Sequence, residues 1–256
     1  MRYKKFGNTD LNLSELAVGT WAIGGTGWGD VNEKDSIDAI LTMVDQGVNL
    51  IDTAPSYGRG HSEIVVGKAL ASCRDKVTLL TKCGIRWPED AKYGSSKPIH
   101  DSSKAAIIKQ CEDSLTRLQT DHIDIYLIHW PDLTTPFEET VDALNTLKQQ
   151  GKILYTGISN FDDDQLEQLY ALGSIDVIQY PYSMVNRKKE AVLKSYAEKG
   201  VYTMGYGGLG AGLRTGPSRE LPKFEPGDAR IGFYDFFEEP KFSKVMELLK
   251  TLDKIA

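Results

Sequence analysis

The chain has 256 residues, which suits one barrel-sized domain with a large buried core. Its 30 Lys and Arg residues against 36 Asp and Glu residues give a net charge of -6 without a basic block, so neither a nucleic-acid surface nor an anionic membrane face is expected. Cys73, Cys83 and Cys111 fit neither a disulfide framework nor a zinc pattern. No secretory or transmembrane stretch occurs. We expect a cytoplasmic protein that acts on a small molecule.

The predicted elements begin with a hairpin over residues 2–13, turned at Gly7-Asn8-Thr9-Asp10, and then alternate between strand and helix. Asn32 can cap the first helix. Thr135-Pro136-Phe137-Glu138 predicts a capping box with proline at the first position of the fourth helix. The predicted core strands are 16–20, 48–52, 77–82, 123–129, 153–159, 175–179 and 201–205, and the predicted helices are 33–45, 62–72, 104–118, 136–151, 162–172, 188–199 and one that begins near Pro240.

A strand followed by a helix, repeated seven times, predicts an α/β fold of the (β/α)8 TIM-barrel type over a single domain, residues 1–256. The hairpin could plug the lower end of the barrel. A closed barrel of this type needs eight strands, whereas seven core strands can be counted. The eighth strand and the C-terminal segment are therefore expected to be missing, with an unpaired edge between the first and seventh strands. We expect a chain that is shortened at its C-terminus.

Three of the predicted strands end in polar side chains, Asp52, Lys82 and His129. The carboxyl ends of barrel strands open onto one mouth, so these groups should meet there. Tyr57 follows on the loop that leaves the strand of Asp52. Each residue has an ordinary alternative, because an Asp at a strand end is often a turn residue, a Lys is usually solvated and a His beside Trp-Pro can fill a corner. Their convergence favours a proton-transfer site.

Several motifs, in order along the chain, resemble those of the aldo-keto reductase family. They are Gly19-Thr20-Trp21, Asp52-Thr53-Ala54 with Tyr57-Gly58, Ser62-Glu63, Lys82, His129-Trp130-Pro131-Asp132, Gly151-Lys152-Ile153, Gly157-Ile158-Ser159-Asn160-Phe161, Gln179 and Tyr206-Gly207-Gly208-Leu209. The resemblance covers nearly all of the chain. Through residues 19–25 and 129–132 the sequence is most similar to bacterial reductases related to the inositol-catabolism aldo-keto reductase.

The resemblance implies a catalytic set of Asp52, Tyr57, Lys82 and His129, and a nicotinamide cofactor, because no protein side chain supplies a hydride. Tyr57 would donate the proton to the carbonyl oxygen. Lys82 would move the pKa of this phenol down toward the working range, and Asp52 would hold Lys82 by an ion pair. His129 would hydrogen-bond the carbonyl oxygen and orient the substrate.

The resemblance also implies a site for NADP(H). In the family, a segment after the eighth strand holds the 2′-phosphate, and because that segment is expected to be missing here, NAD(H) is the other possibility. Ser159, Asn160 and Gln179 would hydrogen-bond the carboxamide, and Tyr206 would stack on the nicotinamide ring. As alternatives, Asn160 is a plain helix cap and Tyr206 a half-buried aromatic residue. The other cofactor residues that the resemblance implies are Gly19, Thr20, Trp21, Asp52, Gly207, Gly208, Leu209 and Gly212, and the backbone N–H groups of the last four could approach a pyrophosphate.

Residues 205–210 also match the Gly-x-Gly-x-x-Gly pattern of dinucleotide-binding sheets. That pattern should open a helix, and Leu213-Arg214-Thr215-Gly216-Pro217 breaks any helix, so we reject the sheet fold and keep the phosphate-binding use of the glycines. Four tryptophans on loops at the mouth are predicted walls of a substrate pocket, with core packing as the alternative for the first of them: Trp21, Trp28, Trp87 and Trp130. The remaining histidines show no ligand spacing, so no metal is predicted.

The sequence thus predicts an NADPH-dependent aldo-keto reductase that acts on small aldehydes, ketones or sugars. Two alternatives stay open. The chain could be a nicotinamide-binding sensor or regulatory subunit, as the potassium-channel beta subunits of the family are, or it could be an inactive fragment. The oligomeric state, the natural substrate and the direction of the reaction are not predicted.

Overall fold

The computed structural model describes residues 1–9, 11–88, 97–173, 175–213, 220–230 and 232–255. Its strands are β1 (Tyr3–Lys5), β2 (Asn12–Ser14), β3 (Val18–Gly19), β4 (Leu50–Asp52), β5 (Thr78–Cys83), β6 (Ile85–Arg86), β7 (Ile99–His100), β8 (Ile123–Ile128), β9 (Ile153–Ser159), β10 (Val177–Pro181) and β11 (Tyr202–Tyr206). Its α-helices are α1 (Glu33–Asp45), α2 (His61–Leu70), α3 (Lys104–Leu118), α4 (Phe137–Gln149), α5 (Asp163–Ala171), α6 (Glu190–Glu198) and α7 (Lys241–Leu252).

Seven parallel strands form the main sheet in the order β3-β4-β5-β8-β9-β10-β11. Their alternation with helices gives the predicted α/β fold, a curled sheet that forms part of a (β/α)8 barrel. Within the described ranges, no strand pairs with the outer edge of β3 or of β11. The prediction of an open edge between these two strands is confirmed.

The hairpin β1–β2 closes the lower end of the curled sheet, as predicted. Phe6 and Leu13 are 1 % and 0 % exposed, although they lie on or beside this short hairpin. They pack against apolar side chains that come from five different strands of the sheet, namely Leu50, Leu80, Ile125, Leu127, Val177 and Met204. Because residues from β4 and β11 share this one cluster, the sheet must curl around it. This cluster, the apolar plug, fills the lower end of the curled sheet.

A second apolar core lies between the sheet and the surrounding helices. Two of the helices begin directly after residues whose side chains accept a hydrogen bond from a backbone N–H of the first helical turn. Asn32 accepts a hydrogen bond from Asp35 N at 3.0 Å before α1, as predicted, and Ser103 accepts one from Ala106 N at 3.4 Å before α3. None of the helices in the described ranges is long and apolar enough to span a lipid bilayer.

Two predicted helix starts differ from the structure. The expected capping box at Thr135 is not formed, because the Thr135 hydroxyl donates to Asp132 Oδ2 at 2.6 Å instead, and α4 starts directly after Pro136. The helix cap near residue 160 is Asp162, which forms a reciprocal capping box with Gln165. Asn160 is therefore not the cap that the alternative interpretation proposed, and its side chain instead hydrogen-bonds His129 O, Ser159 and Tyr206.

The long connection after β5 contains a hairpin, β6–β7, that the sequence did not predict. Residues 89–96 within it lie outside the described residues, as do Asp10 of the predicted first turn and 214–219, which include most of the predicted helix-breaking segment. After β11, the chain forms turns, a short 3-10 helix (Asp235–Phe237) and α7, which pack around their own apolar cluster. Ala229 N donates to Gly27 O at 2.9 Å, which ties this segment to the loop after β3.

Candidate active site

A cavity of about 740 Å³ opens at the carboxyl ends of the parallel strands, within the usual size range of ligand pockets. Each of the seven strands, or the connection that follows it, contributes residues to its lining. The residues predicted for catalysis, cofactor binding or the pocket wall that line it are Gly19, Thr20, Trp21, Trp28, Asp52, Tyr57, His129, Trp130, Ser159, Asn160, Gln179, Tyr206, Gly207, Gly208, Leu209 and Gly212. The mouth of the sheet thus gathers nearly the whole predicted set in one place.

The pleat of the strands explains why polar groups meet above an apolar plug. Side chains two residues apart on a strand lie on the same face of the sheet. Each of several plug residues is followed two positions later by a polar residue of the site, in the pairs Leu50 and Asp52, Leu80 and Lys82, Leu127 and His129, and Val177 and Gln179. The barrel interior therefore changes from apolar to polar within one pleat, at the level of the cavity floor.

Lys82 is 1 % exposed and is not among the described lining residues, but it contacts two residues that are, Asp52 and Tyr57. Its ammonium group pairs with Asp52 Oδ1, donates to Thr53 O at 2.9 Å and lies 3.2 Å from the Tyr57 hydroxyl. Burial by itself lowers the pKa of Lys82, but the attraction of Asp52 and of Tyr57 outweighs it, and the net pKa lies above the ordinary value. Lys82 is therefore a permanent cation beside the phenol.

The Tyr57 phenol does not show the lowered pKa that was expected from Lys82. Burial raises the pKa of Tyr57 more than the neighbouring ammonium of Lys82 lowers it, and the Asp52 carboxylate raises it further. The net pKa lies above the ordinary value. The charge of Lys82 alone would lower this pKa, but the loss of solvent around the phenol outweighs it. Tyr57 is therefore protonated at neutral pH, which is the state that a proton donor requires.

The imidazole of His129 lies at the edge of the Tyr57 ring, with ring centroids 5.8 Å apart. Burial and the charge of Lys82 hold the pKa of His129 well below its ordinary value, so the ring is neutral. The Ser56 hydroxyl lies 3.2 Å from His129 Nδ1. A neutral imidazole beside a protonated phenol presents hydrogen-bond donors to an acceptor oxygen in the cavity.

A chain of hydrogen bonds crosses the mouth from β11 to β4. The Tyr206 hydroxyl donates to Asn160 Oδ1 at 2.8 Å, and Asn160 Nδ2 donates to Ser159 Oγ at 3.0 Å. The Ser159 hydroxyl donates to Gln179 Oε1 at 3.3 Å, and Gln179 Nε2 donates to Asp52 Oδ2 at 2.6 Å. The residues predicted to bind a cofactor are thus connected directly to the ion pair of Asp52 and Lys82.

Asn160 holds an uncommon backbone conformation at this junction, with φ of +68°. Its side-chain amide also donates to the His129 carbonyl at 3.0 Å, so it joins the end of β9 to the end of β8. Asn is one of the few residues that adopts this conformation readily. Asn160 therefore meets two demands at this position: its backbone adopts a positive φ, and its side chain forms hydrogen bonds at the cavity.

Thr20 holds the end of β4 from the neighbouring strand. Its backbone N–H and its hydroxyl each donate to Asp52 O at 3.0 Å. The buried hydroxyl of Ser62 donates to Thr20 O at 3.0 Å and lies 3.1 Å from the Thr53 hydroxyl. The backbone on either side of Asp52 is thereby fixed, and the Thr20 side chain supports the site from beneath.

The glycine segment after β11 forms an open cradle. Gly207 and Gly212 have φ of +70° and +96°, in the region that favours glycine. Among the described residues, no atom other than those of its chain neighbours lies within 4 Å of a Cβ added to Gly208 or to Gly212. The room beside these glycines fits the predicted approach of phosphate groups.

Arg230 adds a cation to the cavity lining that the sequence did not predict. Asp228 holds the guanidinium through Nε at 2.9 Å and Nη2 at 2.7 Å, and the Phe224 ring lies 4.5 Å below it. Phe233 also lines the cavity and contacts Trp21, with ring centroids 5.2 Å apart. Both residues lie in the aperiodic segment after β11, where no hydrophobic period gave a signal.

Three of the four predicted tryptophans line the cavity, and one does not. Trp21 and Trp28 meet edge to face, with ring centroids 5.1 Å apart, and Trp130 lies beside His129. Among the described lining residues Trp87 is not found, and the Arg59 guanidinium lies 5.1 Å from the centre of its ring. The β6–β7 hairpin places Ile85, rather than Trp87, at the cavity wall.

Sequence comparison gives a family match over almost the whole chain. The sequence model of the Aldo/keto reductase family matches residues 15–256. Aldo-keto reductase YhdN of Bacillus subtilis (strain 168) is 40 % identical over 259 residues, which cover 100 % of this chain and 76 % of the relative. NADH-specific methylglyoxal reductase of Escherichia coli (strain K12) is 38 % identical over 261 residues, covering 98 % of this chain and 79 % of the relative.

Comparison with solved structures gives the same result for the fold. The glycerol dehydrogenase AKR11B4 from Gluconobacter oxydans superposes with a TM-score of 0.88 at 38 % sequence identity. The superposition covers 99 % of this chain and 77 % of that structure. The curled parallel sheet and its helices therefore have the same arrangement in both proteins.

Proposed function

The chain belongs to the aldo/keto reductase family, whose members are oxidoreductases that use NAD(P)H, and on this premise we propose that it reduces a small aldehyde, ketone or sugar carbonyl to the alcohol, with Tyr57 as the proton donor. One observation carries the proposal. The Lys82 ammonium contacts both Asp52 and the Tyr57 hydroxyl, and these two residues line one cavity together with His129.

The residues of the cavity fit a nicotinamide cofactor. The second hydrogen of Gln179 Nε2 and the second lone pair of Asn160 Oδ1 complement the acceptor and the donor of a carboxamide. Tyr206 offers an aromatic ring beside them, and Gly208, Gly212 and Arg230 offer room and a cation for phosphates. When bound, the cofactor supplies the hydride, which no side chain of the protein can supply.

Tyr57 and Lys82 together carry out the proton transfer in this proposal. Tyr57 is held protonated, so it gives its proton to the carbonyl oxygen as negative charge develops there. The phenolate that remains lies beside the Lys82 ammonium, which stabilises it without moving. Asp52 keeps that ammonium in place. The charge of Lys82 therefore acts when the proton leaves, and the resting phenol stays neutral.

His129 acts as an uncharged hydrogen-bond donor. An imidazolium beside Lys82 would be repelled, and the lowered pKa of His129 removes that form. The neutral ring donates to the substrate carbonyl oxygen and so orients it toward Tyr57. The aromatic side chains of Trp21, Trp28 and Trp130 would contact the rest of the substrate and exclude water from the reacting groups.

The natural substrate and the preferred cofactor are separate questions. The relatives are described as a methylglyoxal reductase that is NADH-specific and as a glycerol dehydrogenase, so both a small carbonyl substrate and NADH fit this site. NADPH stays our first prediction, with NADH as the other possibility. We further propose that the chain works as one domain in the cytoplasm, on a small molecule and not on nucleic acid, and that it is related to the inositol-catabolism reductases.

Cofactor titration followed by a substrate panel tests the proposal. We expect tryptophan fluorescence to be quenched on addition of NADPH or NADH, since Trp21 and Trp28 line the cavity, and we expect cofactor oxidation with methylglyoxal, glyceraldehyde or an aromatic aldehyde. Binding without turnover on any carbonyl would favour the nicotinamide-binding sensor instead. Absence of binding, together with the absence of a sharp thermal unfolding transition, would favour the inactive fragment.

A further inference from the structure

We infer that Ser56 is a positioning residue that fixes the tautomer of His129, keeping its ring proton on Nε2, from the contact between the Ser56 hydroxyl and His129 Nδ1. This inference rests on the proposed function, because it concerns the state in which His129 meets a carbonyl oxygen. Neither the motif resemblance nor the predicted catalytic set includes Ser56. The side chain lines the cavity between Asp52 and Tyr57 on the loop that follows β4.

A neutral imidazole carries one N–H, and its position decides what the ring can do. The proton on Nε2 leaves Nδ1 as an acceptor, and the proton on Nδ1 leaves Nε2 as an acceptor. In the second case, the nitrogen that remains for the substrate would repel a carbonyl oxygen. The reaction therefore requires the tautomer with the proton on the nitrogen that faces the substrate. The hydrogen-bond partner of the opposite ring nitrogen fixes this tautomer.

Among the described residues, Ser56 Oγ is the side-chain partner of the His129 ring, at 3.2 Å from Nδ1. Elsewhere in the described ranges, the hydrogen bonds of His129 involve its backbone, since Asn160 donates to its carbonyl group and its backbone N–H donates to Cys83 O at 2.9 Å. Tyr57 meets the ring at its edge, and Lys82 acts on it through charge. Ser56 is thus the group that can select between the two nitrogens.

The direction of this hydrogen bond follows from the proton of the serine. In the described part of the chain, the half-buried Ser56 hydroxyl has His129 Nδ1 as its hydrogen-bond partner. If Nδ1 carried the proton, Ser56 would accept it, and the serine proton would need another acceptor inside the cavity. If Ser56 donates to Nδ1, both groups are satisfied at once. The second arrangement places the ring proton on Nε2.

The position of Ser56 also couples the two groups that meet the substrate oxygen. Ser56 directly precedes Tyr57, so the same short loop carries the proton donor and orients the hydrogen-bond donor. A shift of this loop would move both together. The loop after β4 therefore carries one donor and contacts the ring that carries the other, which is held at the end of β8.

Nitrogen NMR of histidine-labelled protein reads the tautomer directly and does not depend on turnover. The chain has 4 histidines, so the His129 signals can be assigned by their loss in His129→Asn. We expect wild-type His129 to be protonated on Nε2 with Nδ1 as an acceptor. In Ser56→Ala we expect a mixture of both tautomers, and in Ser56→Thr, which keeps the hydroxyl, the wild-type pattern. A wild-type ring protonated on Nδ1, or an unchanged tautomer in Ser56→Ala, would overturn the inference.

Kinetics adds a second measurement that separates positioning from folding. We expect Ser56→Ala to lower kcat about fivefold, the effect of one lost hydrogen bond, with an unchanged cofactor Kd and an unchanged Tm. Ser56→Thr should restore kcat, and the exposed Ser243→Ala should match wild type. If no carbonyl is turned over at all, the proposed function fails, and the NMR result alone decides the role of Ser56.

Discussion

Gln179 Nε2 on β10 donates a hydrogen bond of 2.6 Å to Asp52 Oδ2 on β4, across the mouth of the sheet. The two strands are not neighbours, since β5, β8 and β9 lie between them in the sheet order. Lys82 pairs with the other oxygen of the same carboxylate. Both oxygens of Asp52 are therefore occupied, one by the ion pair and one by the chain of residues that we assign to the cofactor. The carboxylate that orients Lys82 cannot rotate without breaking one of these contacts.

Replacing Lys82 by Met tests whether the ammonium stabilises the phenolate. We expect Lys82→Met to lower kcat by about 100-fold or more, the usual loss when one electrostatic stabiliser of a transition state is removed. The pKa of Tyr57 should rise further, because Lys82 is the group that lowers it. Steady-state kinetics and ultraviolet titration of the phenol measure the two effects. The exposed Lys34→Met is the matched control, and a Lys82→Met enzyme as fast as that control would contradict this role.

The pH dependence of reduction should be flat over a wide range. The pKa of His129 lies well below 6.5, and the pKa of Tyr57 lies above 10.0, so neither group changes charge between these values. On the alkaline side the rate should fall only above the raised pKa of Tyr57, because the donor must be protonated. A profile of kcat against pH checks this. An inflection near neutral pH that disappears in a His129 variant would show that the imidazole titrates there.

Asp132 should contribute acid-sensitive stability. Burial raises the pKa of this carboxyl, but hydrogen bonds from Ser102 N, Thr134 and Thr135 outweigh it and lower the pKa from 3.8 to about 2. A depressed pKa in the folded state stabilises the fold above the unfolded value, and that contribution disappears as the pH falls through the folded value. Asp132→Asn should therefore reduce the free energy of unfolding by about 2 kcal/mol at neutral pH.

Urea unfolding at several pH values measures this contribution. The difference between Asp132→Asn and wild type should shrink as the pH is lowered from about 4 toward 2, because wild-type Asp132 is then protonated as well. Asp142→Asn, on the exposed side of α4, serves as a matched control. A difference that stays constant down to the lowest pH would mean that the hydrogen bonds of Asp132 do not depend on its charge.

Glu63 is a buried charge whose loss should destabilise the fold. It is 0 % exposed, and its oxygens accept hydrogen bonds from Thr81 at 2.6 Å and from Arg117 Nε at 2.6 Å. Arg117→Met leaves this carboxylate buried without its cation, and we expect a loss of about 3–5 kcal/mol in the free energy of unfolding. The double variant Glu63→Leu with Arg117→Met should recover part of the loss, as measured by urea unfolding. A double variant less stable than Arg117→Met would contradict this account.

Much of the fold and most of the site could be predicted because they depend on local patterns. The bounds of α1 and α3 follow from their caps and apolar stripes, and those of β9 from its apolar run. The polar ends of the strands were visible in the sequence, and the barrel topology brings them together. The two-residue spacing between plug and site residues, such as Leu80 and Lys82, carries the same information and was available from the sequence alone.

The parts that could not be predicted depend on contacts between distant segments. The Thr135 hydroxyl was expected to cap a helix and is taken by Asp132, which only the folded loop brings close. The net pKa of Tyr57 depends on the depth of the cavity and not on the nearest charge. Arg230 reaches the cavity from an aperiodic segment, and Trp87 is held by Arg59 instead of by the pocket. The sequence pattern of a single helix or strand does not predict contacts between residues that are distant in the sequence.

Turnover by Tyr57→Phe is the most direct test of the central claim, which is that this phenol gives the proton to the substrate. The variant removes one oxygen atom and keeps the ring, so the cofactor Kd should not change. We predict that kcat for reduction falls by about 100-fold or more, the usual contribution of a general acid. Tyr3→Phe, an identical change at the opposite end of the barrel, should leave kcat unaltered. A Tyr57→Phe enzyme that turns over as fast as Tyr3→Phe would contradict the claim.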